Sequence, residues 1–177
     1  NGDLTMRFAK SGEKLKALDE SEYVLDEGMI IISDDDGPQG IGGVMGGLAS
    51  GCSEKTTNVF LEVALFDPVQ IATTGRKLGI TSDARYRFER GIDPTSIEWG
   101  TEIASRMILD ICGGEASELT IAGEMPAWQK SYTLRRERVM SLGGLDVPIT
   151  EQNKILSVLG FKTENERGGL RCEVPPW

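Results

Sequence analysis

Short apolar runs separated by polar turns fill the first third of the chain. LTMRFAK (4–10), EKLKAL (13–18) and EYVLD (22–26) each predict a short strand. MIIISD (29–34) predicts a stronger strand that ends in the acidic turn DDDGP. NVFLEVALF (58–66) is apolar on both faces, the pattern of a strand buried on both sides. The period then becomes helical. Asp67–Pro68 supplies an N-cap followed by a first-turn proline, and Gly79 closes that helix. Asp93–Pro94 opens a longer helix on which Ile97, Ile103, Ala104, Met107, Ile108 and Ile111 recur at helical spacing, with Gly113–Gly114 as the stop. SELTIAGE (117–124) reads as a closing strand.

EMPAWQKS (124–131) reads as a linker, after which the pattern restarts. SYTLRRERVMSLGGL predicts a strand, a short helix and a turn. PITEQNKILSVLGF predicts a helix capped by Thr150, with Ile155, Val158 and Leu159 on one face and Gly160 as stop. FKTENERGGLRCEV predicts a hairpin turning at Gly168–Gly169. The predicted organisation is a first domain over 1–123, a linker over 124–131 and a smaller segment over 132–177. That last segment is too small for much core of its own, so it is expected to be truncated or docked on the first domain. The fold class is α+β: a mixed, largely antiparallel β-domain with two helices, then the smaller segment.

Composition narrows the function classes. The 177 residues are 39% hydrophobic and 27% charged, enough to bury a core. No apolar run reaches membrane-span length, and residues 1–10 lack a secretory signal pattern. The ends, Asn1 and VPPW, read as cut from a longer polypeptide. A net charge of −9 argues against a generic nucleic-acid binder. The charge is uneven, however: Arg76, Lys77, Arg85, Arg87 and Arg90 cluster after a mostly acidic stretch, and such a patch can still meet a phosphate backbone. Cys52, Cys112 and Cys172 are far apart and the chain has no histidine. That excludes CxxC metal spacing and any Ser/His or Cys/His nucleophilic pair within the chain, and it suits a reducing cytoplasm.

Three features remain as candidate chemistry. GIGGVMGGLASG (40–51) has six glycines among twelve residues, interleaved with Ile41, Val44, Met45 and Leu48. Glycine lets another group approach the main chain and exposes backbone N–H donors. No GK[ST] follows, so it is not a Walker loop, and no helix follows directly, which makes it a poor dinucleotide fingerprint. The alternative is a bulged strand crowded by a neighbour. Glu62 is the single charge in NVFLEVALF and shares a face with Phe60, Ala64 and Phe66. A carboxylate there needs a partner, a raised pKa or a pocket to face. A salt bridge to a nearby arginine and an acceptor awaiting a ligand are both open. In GRKLGITSDARYRFERGIDP (75–94), Arg85 and Arg87 alternate with Tyr86 and Phe88. That pattern suits phosphates and bases, or an arginine cluster that neutralises the domain's own acids.

GGVMGG, TTNVFLEVALFDPVQIATTGRKLG and SDARYRFERGIDP, in this order, resemble the beta subunit of bacterial phenylalanyl-tRNA synthetases. The resemblance covers residues 1–120 as the later part of an editing module. From about residue 130, LGGLDVPITEQNKILSVLGF and VPPW resemble the start of a winged-helix-like module. The resemblance implies a cytoplasmic heterotetramer with an alpha subunit, in which the alpha subunit charges tRNA(Phe) with phenylalanine using ATP and magnesium. No cofactor is implied for this segment and no membrane. It also implies that the beta subunit hydrolyses tyrosine mischarged onto tRNA(Phe). An apolar pocket rejects an added hydroxyl only weakly, so a second pocket that requires the hydroxyl can correct the error.

Residue by residue, the resemblance makes Glu62 the reader of the tyrosine hydroxyl, with Gly43 and Gly46 lining the pocket beside Ala84. Ser82, where some relatives carry threonine, is expected to help position the attacking water. Arg85, Arg87 and Arg90 are the expected tRNA contacts. Arg135, Arg136 and Arg138 fit a solvated helix face as well as a nucleic-acid contact. The family builds the pocket's other wall, including a histidine, from sequence preceding residue 1, so the isolated chain is expected to hydrolyse mischarged tRNA poorly or not at all. The competing expectation is a scaffold that binds tRNA or the alpha subunit without chemistry of its own.

Overall fold

The computed structural model describes residues 2–177, in two compact units: 2–92 with 96–118, and 93–95 with 119–177. In the first unit, β1 (Thr5–Phe8), β4 (Ile30–Asp34), β5 (Gly37–Ile41) and β6 (Met45–Gly46) form an antiparallel sheet in the order β1-β4-β5-β6. The strands β2 (Lys14–Lys16) and β3 (Glu22–Val24) pair as a separate ribbon. A bridge from Ala17 to Gly47 ties this ribbon to the glycine-rich segment. The core gathers Leu15, Leu25, Ile31, Ile41, Val44 and Ile71, with Phe66 at its margin.

Helix α1 (Pro68–Leu78) forms as its capping signals require. Asp67 accepts a hydrogen bond from the Gln70 N–H, and Gly79 ends the helix at φ +68°. A third helix in this unit, α2 (Asp83–Phe88), lies in the stretch read only as a basic and aromatic cluster. The helix α3 (Ser96–Cys112) begins later than Asp93, whose carboxylate instead closes a local turn onto the N–H and hydroxyl of Thr95. No residue of α3 is buried.

The second unit is a three-stranded antiparallel sheet in the order β7-β9-β8, made of β7 (Ser131–Arg135), β8 (Lys162–Glu166) and β9 (Gly169–Glu173). Helices α4 (Glu137–Gly143) and α5 (Ile149–Val158) lie between β7 and β8 in the chain. Its buried side chains are few: Pro94, Gln152, Leu170 and Cys172 among the described residues. The hairpin turns at Arg167–Gly168, with Gly168 at φ +103°. Thr150 lies inside the first turn of α5 and is not its cap; Pro148 holds that place and makes no side-chain bond. Ile155 and Val158 face solvent.

Two predicted strands are absent. Residues 58–66 are neither paired nor buried on both sides. They run without turn or bend, and no backbone hydrogen bond ties residues 57–66 to another segment among the described residues. An apolar pattern favours an extended chain, but a strand also needs a partner strand, and this segment pairs with none among the described residues. Residues 117–124 are likewise exposed and unpaired. Among the described residues no helix is long and apolar enough to cross a membrane.

Candidate binding cavity

The glycine-rich run meets the 58–66 segment at an open cavity of about 770 Å³. Strand β5 carries a bulge between the pairs Ile32–Gly40 and Ser33–Pro38, which leaves Gln39 unpaired in the ladder. The Gln39 carbonyl accepts from the Gly47 N–H and from the Ser50 hydroxyl, both at 2.8 Å, and this folds residues 47–50 back beside the strand. The β5–β6 loop then turns at Gly42–Val44, with the Val44 N–H bonded to the Ile41 carbonyl at 3.0 Å.

Gly43 sits at φ +65°, and a Cβ there would lie 2.9 Å from the Phe66 ring and 3.0 Å from Ile71. At Gly42 a Cβ would lie 2.7 Å from Phe66. The alternative of a bulged strand crowded by a neighbour is therefore realised. The backbone is crowded by neighbours, and the same glycines form part of the cavity wall. Phe66 and Phe88 meet edge to face with ring centroids 5.2 Å apart and close this end. Gly46 also lines the cavity, but its surroundings are looser; a Cβ would touch only Leu18, at 3.2 Å.

Most residues from 58 to 66 line the cavity: Asn58, Phe60, Glu62, Ala64 and Phe66, with Val59 and Val63 between them. Exposure falls along this run, from open at 58–62 through half-buried at 63–65 to buried at Phe66. Glu62 makes no hydrogen bond or ion pair among the described residues. It keeps solvent access, yet apolar neighbours desolvate its carboxyl and hold its pKa above the ordinary carboxylate value. The salt bridge to a nearby arginine is not formed. Arg85 bonds Glu89 at 3.0 Å and the Ile80 carbonyl at 2.5 Å; Arg87 bonds Asp83 at 2.9 Å. Arg90 bonds the Tyr86 carbonyl and Glu89, and lies over the Tyr86 ring at 3.8 Å.

The other sequence candidates separate. Ala84 lines the cavity. Ser82 is not among the cavity residues. It caps α2, accepting from the Arg85 N–H at 3.0 Å and donating its one proton to the Val44 carbonyl at 2.6 Å. A hydroxyl so engaged has no proton left to orient a water. Arg85 is mostly buried, its side chain laid against Gly75 of α1, so it braces the helices and is not presented to an external phosphate. Arg87 and Arg90 remain exposed.

Sequence reasoning missed Asn58, Phe88 and Cys52 as cavity residues. Asn58 was findable, since it shares the parity of Glu62. Cys52 was not, because it follows a fold-back set by the Gln39 bulge. Among the described residues no cluster of acids and cysteines is arranged to hold a metal ion.

A bulged antiparallel sheet, a glycine loop under two aromatic rings and one carboxylate without a partner among the described residues meet at this cavity. The chain belongs to the B3/4 domain family, whose model matches residues 1–113. Over nearly its whole length it is also similar to phenylalanine–tRNA ligase beta subunits. It is 54% identical to that of Ruegeria pomeroyi over 176 residues, which are 99% of this chain and 22% of that protein. The corresponding subunit of Paramagnetospirillum magneticum is 51% identical and that of Brucella abortus 46%, with the same coverage. The chain thus spans about a fifth of the length of the curated relatives it matches.

Proposed function

We propose that this chain forms the part of a phenylalanine–tRNA ligase beta subunit that hydrolyses tyrosine wrongly esterified to tRNA(Phe), working beside an alpha subunit that performs the ATP- and magnesium-dependent charging. The observation that carries this reading is Glu62, a partially desolvated carboxylate without a partner, set on an apolar cavity wall. A phenol hydroxyl donates to such a group in a charge-assisted bond, whereas a phenylalanyl ring leaves it desolvated and unpaired. Gly42 and Gly43 keep the wall under the ligand thin, and Ala84 leaves room beside it.

An aminoacyl ester is already reactive, so a held water and backbone donors suffice for its hydrolysis. With the Ser82 proton committed to Val44, those donors are main-chain N–H groups. The test is deacylation of tyrosyl-tRNA(Phe) by the complete synthetase, wild type beside Glu62→Ala, with charging as the control. Loss of a charge-assisted bond predicts a drop of about ten- to a hundredfold in tyrosine removal with charging intact. Unchanged removal refutes this reading.

A scaffold reading is favoured by one separate observation. Trp99, Ile103, Met107 and Ile111 recur every fourth residue along α3, all exposed. Such a stripe suits packing against a protein partner such as the alpha subunit. Unchanged deacylation in the Glu62 variant would make this the better account of the chain.

A further inference from the structure

Asn58 lies on the cavity wall, four residues before Glu62 along the same unbent run, and makes no hydrogen bond among the described residues. We propose that Asn58 recognises the nucleoside end of the substrate, its side-chain amide bonding the terminal ribose to which the amino acid is esterified. This rests on the reading of Glu62 as the acceptor of the tyrosine hydroxyl.

Direction follows from burial. Beyond Glu62 toward Phe66 the chain becomes buried, and Phe66, Phe88 and Gly43 close the cavity. Toward Asn58 it opens, with Phe60 71% exposed. A polynucleotide cannot pass through the closed end. With the phenol oxygen at Glu62, the rest of the ligand must therefore run toward Asn58.

Length agrees with that direction. At about 3.3 Å per residue, the unbent chain sets Asn58 up to about 13 Å from Glu62. By ordinary covalent dimensions a tyrosyl group reaches roughly 8 Å from phenol oxygen to ester carbonyl, and the ribose begins just beyond it. Phe60, midway between them on the cavity wall, falls beside the body of the aminoacyl group. A primary amide both donates and accepts, matching a ribose hydroxyl that does the same.

The experiment measures binding to the complete synthetase of two probes: L-tyrosine, and a non-hydrolysable tyrosyl-adenosine amide that carries the ribose. Asn58→Ala is expected to weaken the adenosine analogue about tenfold and to leave L-tyrosine binding, phenylalanine charging and the melting temperature unchanged. Glu62→Ala is expected to weaken both probes. If Asn58→Ala leaves the analogue unaffected, or weakens both probes equally, while Glu62→Ala still weakens both, this assignment is overturned and the pocket reading stands. If Glu62→Ala changes neither probe, the pocket reading fails and the Asn58 role falls with it.

Discussion

Ser82 donates its hydroxyl proton to the main-chain carbonyl of Val44, 2.6 Å away, while accepting from the Arg85 N–H. One side chain thereby caps α2 and pins the glycine loop to it. Removing the hydroxyl uncaps the helix and orphans a carbonyl of the loop. We expect Ser82→Ala to lose about 1 to 2 kcal/mol of stability, and Ser82→Thr to keep most of it, as measured by urea unfolding. If Ser82→Ala left stability unchanged yet abolished hydrolysis, the hydroxyl would be acting on the substrate instead.

Gly43 and Gly46 look equivalent in the sequence, and the structure makes them unequal. Alanine at 43 must adopt φ +65° and meets Phe66 and Ile71 at 3.0 Å or less. Strain and overpacking together predict a loss of about 2 to 4 kcal/mol. Alanine at 46 meets only the tip of Leu18, which can rotate, so we expect a loss below about 1 kcal/mol. Thermal melting of the two variants side by side decides the matter.

What could be read from the sequence was whatever local chemistry dictates. Asp67, Pro68 and Gly79 specify α1 without outside help, and MIIISD specifies a strand by its own pattern. What escaped depends on partners distant in the chain. The apolar run at 58–66 has the composition of a buried strand but pairs with no other strand among the described residues. Arg85 has the look of a phosphate ligand until Glu89 and the Ile80 carbonyl claim it. The same holds for Ser82, whose partner Val44 lies 38 positions away. Glu62 was legible because a lone charge in an apolar run is a conflict that the chain itself displays.

The three cysteines report on the cavity independently of turnover. Cys52 is exposed and lines it; Cys112 is exposed elsewhere; Cys172 is buried. We expect alkylation to mark Cys52 and Cys112 quickly and Cys172 only on unfolding, with modified peptides read by mass spectrometry. A bound tyrosyl-adenosine analogue should slow Cys52 alone. Equal protection of Cys52 and Cys112 would place the ligand's effect outside this cavity.

Arg7 holds Glu13 by two parallel bonds of 2.9 and 2.8 Å, and the Lys10 N–H adds a third to the same carboxylate. The Arg7 bond, then the Lys10 bond, pull the Glu13 pKa down to about 2. A carboxylate depressed in the folded state stabilises fully above its unfolded pKa of about 4.3, and that contribution is lost as pH falls toward 2. Since both side chains keep some solvent contact, we expect Glu13→Gln to cost only about 1 to 2 kcal/mol at neutral pH. The variant and wild type should converge in stability near pH 2, as followed by denaturant titration at each pH.

Glu62 has the opposite sign. Burial raises its pKa, so the folded chain keeps that proton to higher pH than the unfolded chain does. Any stability it contributes as a neutral acid is present at low pH and declines as pH rises through the raised value. Recognition runs the other way, because only the ionised carboxylate accepts the charge-assisted bond from a phenol. We therefore expect affinity for L-tyrosine to climb with pH above the ordinary carboxylate range and then level off. Phenylalanine has no hydroxyl to donate, and its weak binding should fall as the same proton leaves. In Glu62→Gln both trends should vanish, since a neutral amide does not titrate. A tyrosine affinity that stays flat with pH in the wild-type synthetase would mean that Glu62 does not meet the phenol, whatever else lines the cavity.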